Sequence, residues 1–250
     1  MSNKAKGAGP QKPSPALQAF VRNWWLFAGL LAVYGLMITA AYALRKPAKH
    51  SGPVDIVLVF DTTSSMQPRI NGCLAASREF ADTLHETGAD WRIAIVTFGA
   101  INEPNVIRDV LRPTDDLVAV DRFLKGQAAQ GGGMEDQPYA LVYSMENVQL
   151  RARAKRIFIL ITDEEILGDE SVGEPLDQRC QRSQAATAWP EIVARLKQEN
   201  IAVYSVTTPV DEYKDLATET GGRFYDINAT SSFSDIIVSV GHDIARSITR

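Results

Sequence analysis

The stretch Val57-Leu-Val-Phe-Asp61-Thr-Thr63-Ser-Ser65-Met66 ends an apolar run in a carboxylate and sets hydroxyls two and four residues further on. An apolar run of this kind reads as a buried strand that delivers its last side chain to a rim. Asp61, Thr63 and Ser65 are then hard oxygen donors gathered at one point. Such donors suit Mg²⁺, which takes six oxygens in near-octahedral geometry and usually keeps some water; Mn²⁺ and Ca²⁺ are the alternatives. A second apolar run, Ile157-Phe-Ile-Leu-Ile-Thr-Asp163, also ends in an acid. The loop Gly131-Gly-Gly-Met-Glu135-Asp136-Gln-Pro138 adds two carboxylates just before a helix start. In open parallel sheets, ligands bind beyond the carboxyl ends of the strands where the winding reverses. Neighbouring strands there would bring Asp61, Thr63, Ser65 and Asp163 to one rim, with Glu135 or Asp136 as a third element. The plainer alternative is that Asp61 and its hydroxyls only cap the next helix.

Other chemistries fit less well. A phosphatase of the haloacid-dehalogenase type needs Asp-x-Asp, and Thr63 holds the second place. A metal-dependent hydrolase on the same rim lacks a general base beside Asp61. The triple glycine is not followed by Gly-Lys-Ser/Thr, which excludes a P-loop. His50, His85 and His242 are scattered and adjoin no nucleophile, so no triad can be assembled. Cys73 and Cys180 have neither CxxC spacing nor a nearby His pair, which argues against zinc. Cys73 lies on an apolar helical stripe with Ile70, Leu74, Phe80 and Leu84 and reads as a core thiol; whether the two cysteines pair stays open.

The elements that must carry these groups alternate. Strand-like runs fall at 55–60, 91–98, 106–111, 156–162, 201–207 and 223–227, with helical patterns at 66–87, 116–126, 136–149, 189–199, 212–219 and 232–248. Continuous Val/Ile/Leu/Phe runs fit parallel strands covered on both faces. The alternation predicts one α/β domain over 54–250, doubly wound around a mostly parallel six-stranded sheet. The polar stretch that opens at Leu167 follows Asp163 closely, so it should overhang the rim and shape partner access.

Residues 1–22 are basic and poor in apolar side chains, as in a disordered tail. Residues 24–44 contain no charge and are long enough to cross a hydrocarbon core of about 30 Å, with Trp24, Trp25 and Tyr42 near the ends. The expectation is an uncleaved transmembrane helix followed by a linker at 45–53. Ala28, Ala32, Gly35, Thr39 and Ala43 form a small-residue stripe through which two copies could pair. Lys/Arg flank both ends, so the expected extracytoplasmic placement of the domain rests on the usual orientation of N-terminal anchors. Of 26 Lys/Arg, seven precede residue 51, where there is no Asp or Glu; the remainder holds 19 against 30 acids, a net of −11. That balance suits cations or basic protein surfaces and gives no electrostatic reason to bind nucleic acid.

The motif Asp61-x-Thr63-x-Ser65 after the first strand, the glycine-rich loop opening a middle helix, and the strand ending Thr-Asp163 resemble a von Willebrand factor type A domain over roughly 53–249. The resemblance implies a Rossmann-like fold and a non-enzymatic, Mg²⁺-dependent adhesion site, with a metal-free structural module of the same fold as the alternative. The Thr63 and Ser65 hydroxyls would bind the ion, with Asp61 and Asp163 binding directly or through water. A protein partner would complete the shell with an Asp or Glu. Thr63 replaces the commoner Ser, and Ser64 sits where Gly is common. No Thr occurs in 128–140, so Glu135 or Asp136 would take its place. Tyr139 stands after Pro138 where some members have Glu; with Glu164 and Glu165 it is a candidate partner-contacting residue.

Overall fold

A computed structural model describes residues 52–101, 103–133, 135–166, 189–229 and 232–249. The expected tail, transmembrane helix and most of the linker lie outside these residues, as do Cys180 and the polar stretch from Leu167. Among the described residues, no helix is long and apolar enough to cross a membrane.

Six strands form one sheet: β1 (Val54–Asp61), β2 (Trp91–Phe98), β3 (Ile107–Thr114), β4 (Lys155–Ile161), β5 (Ile201–Thr207) and β6 (Arg223–Asp226). Their order is β3-β2-β1-β4-β5-β6. All neighbours are parallel except β3, which runs antiparallel to β2 at the edge. The chain leaves β1 towards β2 and β3, then returns to the other side of β1 for β4. The reversal therefore lies between β1 and β4, the pair expected to carry the two strand-end acids.

Both faces of the sheet are covered. Val54, Ile56 and Phe60 of β1 pack on the side of α1 (Gln67–His85), α2 (Leu117–Gly126) and α6 (Phe233–Ile248). Val57 and Val59 pack on the side of α3 (Gln137–Asn147), α4 (Trp189–Gln198) and α5 (Asp211–Glu219). Successive strand residues point to opposite faces, so a strand buried on both faces has no polar alternation. Cys73 is a free, buried thiol in the first of these cores, and burial pushes its pKa up.

The end of α5 shows how locally these elements are specified. Thr220 is its C-cap and Gly221 follows at φ +78°. The Gly221 N–H donates to the carbonyl of Thr218 (3.2 Å) and the Gly222 N–H to that of Ala217 (2.8 Å), the pairing of a Schellman motif. A Cβ on Gly221 meets open space, but one on Gly222 would overlap the backbone carbonyl of Val203 in β5. Gly221→Ala should cost about 1 kcal/mol, the left-handed penalty alone. Gly222→Ala should cost about 2 kcal/mol, because backbone must move. Urea denaturation of the two variants checks this order.

Candidate metal centre

β1 and β4 end side by side, with Phe60 opposite Ile161, so their next residues, Asp61 and Thr162, are adjacent. Asp61 is fully buried. One of its carboxylate oxygens accepts from the Thr63 N–H (2.8 Å) and the other from the Thr162 hydroxyl (3.0 Å). A single 3₁₀ turn, Ser64–Met66, lies between Thr63 and the start of α1. It brings the Thr63 and Ser65 hydroxyl oxygens to 3.4 Å, while Ser65 Oγ donates to Asp163 Oδ1 at 2.9 Å. Thr63 makes no side-chain cap to the helix, which removes the capping alternative for its hydroxyl.

These spacings test the fit to Mg²⁺. Oxygens about 2.1 Å from one ion in octahedral geometry lie about 3 Å apart along each edge. The Thr63–Ser65 and Ser65–Asp163 separations have that scale. Among the described residues, no group of three His, Cys, Asp or Glu side chains could hold a metal, so an ion at this rim depends on the hydroxyls.

The glycine-rich loop supplies the third element, and its two acids separate. Asp136 is the N-cap of α3, its Oδ1 accepting from the Tyr139 N–H at 3.0 Å. Glu135 is 4% exposed, and its Oε2 has no hydrogen-bond partner. Ala100 forms an isolated bridge with Glu135, which fixes the loop against the end of β2. Burial, the Asp61 charge and a smaller push from Glu164 raise Glu135 to about 8, against a backbone hydrogen bond at Glu135 itself and a weaker one from Thr63. Asp61 is raised to about 6 by burial, against its hydrogen bonds to Thr63 and Thr162 and with a further push from Asp163. Neighbouring acids thus add to burial at both Asp61 and Glu135, and no basic side chain enters either balance.

Glu164 and Glu165 are exposed beside Asp163. Burial, Asp163 and Glu165 raise the Glu164 carboxyl. The Glu164 backbone is held by its N–H to Thr162 Oγ1 (3.2 Å) and by the Tyr213 hydroxyl, which donates to its carbonyl (3.1 Å). Tyr139 is half-buried in the first turn of α3, edge-on to Tyr143 with centroids 6.2 Å apart. Thr162 is a positioning residue missed by sequence reasoning, although a hydroxyl immediately before a strand-end acid was the signal.

A family model for the von Willebrand factor type A domain matches residues 55–237. Among solved structures, the chain is similar to the SpRpn10 VWA domain at 11% identity and a TM-score of 0.56, covering 76% of this chain and 97% of that one. It is also similar to an aerotolerance-related membrane protein from Bacteroides fragilis NCTC 9343, at 14% identity and a TM-score of 0.51, covering 77% and 99%. No curated protein matches the chain. The structural likenesses establish the fold, and the family match extends through every strand into the last helix: the chain belongs to the von Willebrand factor type A domain family.

Proposed function

We propose that this domain is a non-catalytic docking module that binds a protein partner through Mg²⁺ held at the β1–β4 rim. Thr63 and Ser65 supply neutral hydroxyl ligands, and Asp163 and Asp61 supply charge directly or through water. Glu135 faces the site from the glycine-rich loop, whereas Asp136 serves the helix it caps. Neutral donors leave the ion electrophilic, so an Asp or Glu of the partner completes the shell. Glu164, Glu165 and Tyr139 border the approach. The observation that carries this reading is the 2.9 Å contact between Ser65 Oγ and Asp163 Oδ1, which joins donors 98 residues apart at octahedral-edge spacing.

The chain is further proposed to be anchored in a bilayer by residues 24–44, with the domain on the extracytoplasmic side. The uncharged run and its aromatic ends support the anchor, and the similar Bacteroides fragilis protein is described as a membrane protein. Crosslinked pull-down of the intact protein tests the docking. Partner recovery should be high in Mg²⁺ and lost both in EDTA and in Asp61→Ala. Equal recovery in all three overturns the metal-bridged reading.

A further inference from the structure

The two loops that build the rim come from distant parts of the chain, and one side chain from the sheet edge joins them. Arg108 projects from β3, and its side chain is 11% exposed. Its Nη1 donates to the Thr62 carbonyl and to Thr62 Oγ1 (3.1 Å). Its Nη2 donates to the Gln130 carbonyl at 2.7 Å. Nε donates to Glu103 Oε2 at 2.9 Å, and Nη2 also pairs with Glu103 Oε1. The planar guanidinium therefore holds the residue before Thr63 with one nitrogen and the residue before Gly131 with the other. A Lys ammonium has no such fork.

The backbone around this pair is built to admit it. A Cβ on Gly99 would overlap the Arg108 guanidinium, and one on Gly131 would overlap Glu103 and crowd Arg108. Gly131 also sits at φ +71°, where other residues are strained. The two loops are joined directly by the Gln130 N–H to the Thr62 carbonyl (3.1 Å) and the Ser64 N–H to the Gly131 carbonyl (3.3 Å). Ser64 Oγ also donates to the Gly131 carbonyl, and the arginine adds a side-chain bridge that reaches both loops at once.

We infer that Arg108, oriented by Glu103, is a positioning residue that couples the two loops of the rim. It sets the Thr63–Ser65 turn against the glycine-rich loop and so holds Glu135 at a fixed place relative to the two hydroxyls. The role rests on the metal-docking reading for its consequence but on the Thr62, Gln130 and Glu103 contacts for its geometry. Partners bonded directly to metal ligands are worth about 10- to 100-fold in metal affinity; Arg108 acts one residue further out, so the lower end of that range applies.

Arg108→Lys and the milder Glu103→Gln are compared with wild type in the intact protein by two measurements. Calorimetric titration with Mg²⁺ should show affinity lowered about tenfold in Arg108→Lys and by a smaller factor in Glu103→Gln. Amide hydrogen exchange in EDTA should show 62–66 and 130–133 exchanging faster together in both variants, while β1 and β4 keep wild-type protection. A general loss of folding would instead raise exchange in the strands as well, and Glu103→Gln decides the matter if Arg108→Lys does not fold. Unchanged loop exchange in both variants overturns the inference, as does loosening of only one loop. Unchanged Mg²⁺ affinity in a variant whose loops have loosened overturns it too. If wild type takes up no Mg²⁺, the docking reading fails by itself and the exchange result alone decides whether Arg108 couples the loops.

Discussion

If the rim holds Mg²⁺ as proposed, Asp61→Asn should remove most of the stabilisation by Mg²⁺ while making the metal-free protein more stable at pH 8. The amide keeps contact with both partners: its oxygen still accepts from the Thr63 N–H, and its NH₂ can donate to the Thr162 hydroxyl, which rotates to accept. The charge is lost, and the buried Thr162 hydroxyl, which already accepts from the Glu164 N–H, gives up its acceptor at residue 61. Wild type at Mg²⁺ of 100 times its Kd gains about 2.7 kcal/mol of stability, and a hundredfold weaker variant gains about 0.4 kcal/mol under the same conditions. Without metal the sign reverses. Burial raises Asp61 from 3.8 to about 6 and Glu135 from 4.5 to about 8. The folded state thus holds protons that the unfolded chain has released. The associated stability is complete below the ordinary carboxylate values and is lost as pH rises through about 6 and then about 8. Thermal unfolding in EDTA should show wild type weakening from pH 4 to 8; Asp61→Asn should flatten the lower half of that decline and, by removing a charge that helps raise Glu135, shrink the upper half as well. A wild-type profile without slope in EDTA would refute the account.

Asp55→Ala carries the largest expected cost to folding, about 3 kcal/mol by urea denaturation. The Asp55 side chain is 2% exposed and lies at the opposite end of β1 from the rim. It accepts both Nε and Nη2 of Arg92 at 3.1 Å, the Arg151 N–H at 2.6 Å and Arg151 Nε at 2.8 Å. Burial pushes its pKa up, but the bonds and charges of Arg92 and Arg151 outweigh burial, and the net shift is downward. Removing one member of a buried ion-pair network usually costs 3–5 kcal/mol, because the charges left behind are uncompensated. Both arginines are about one-quarter exposed and can recruit water, which places the value at the low end. Arg92→Ala should cost about half as much, since Arg151 remains. The depressed Asp55 carboxyl contributes stability above its ordinary value of 3.8, lost on acidification through its lower folded value.

The parallel core was legible because its strands are covered on both faces: Ile56–Phe60 and Ile157–Ile161 read as unbroken apolar runs. The six expected helices were legible from their helical patterns, and the structure adds that Asp116 caps α2, its carboxylate accepting the Val118 N–H at 2.8 Å. The edge was harder. β3 contains Arg108, Asp109, Arg112 and Pro113, and its expected span, 106–111, became Ile107–Thr114. Nothing local sets its antiparallel direction, and an edge position tolerates its proline.

At the site, strand ends were readable because the acid terminates an apolar run. The division of labour between Glu135 and Asp136 was not, since adjacent residues differ only in which one the helix start captures. Arg108 and Asp55 were hidden for a different reason. Each acts through partners far along the chain, and sequence separations of 46 from Arg108 to Thr62 or 96 from Asp55 to Arg151 leave no local pattern.

The placement of β1 has a mechanical consequence. The chain enters the domain at Pro53–Val54, where the Lys155 N–H donates to the Pro53 carbonyl (2.8 Å), and the rim lies at the other end of the strand. Eight residues of strand span about 26 Å. A tether at Pro53 and a partner held at the rim would therefore pull β1 along its own axis. Because β1 is flanked by β2 and β4 along its length, that load shears two ladders at once instead of peeling one open. The strand that ends in Asp61 is thus held on both sides against such a load.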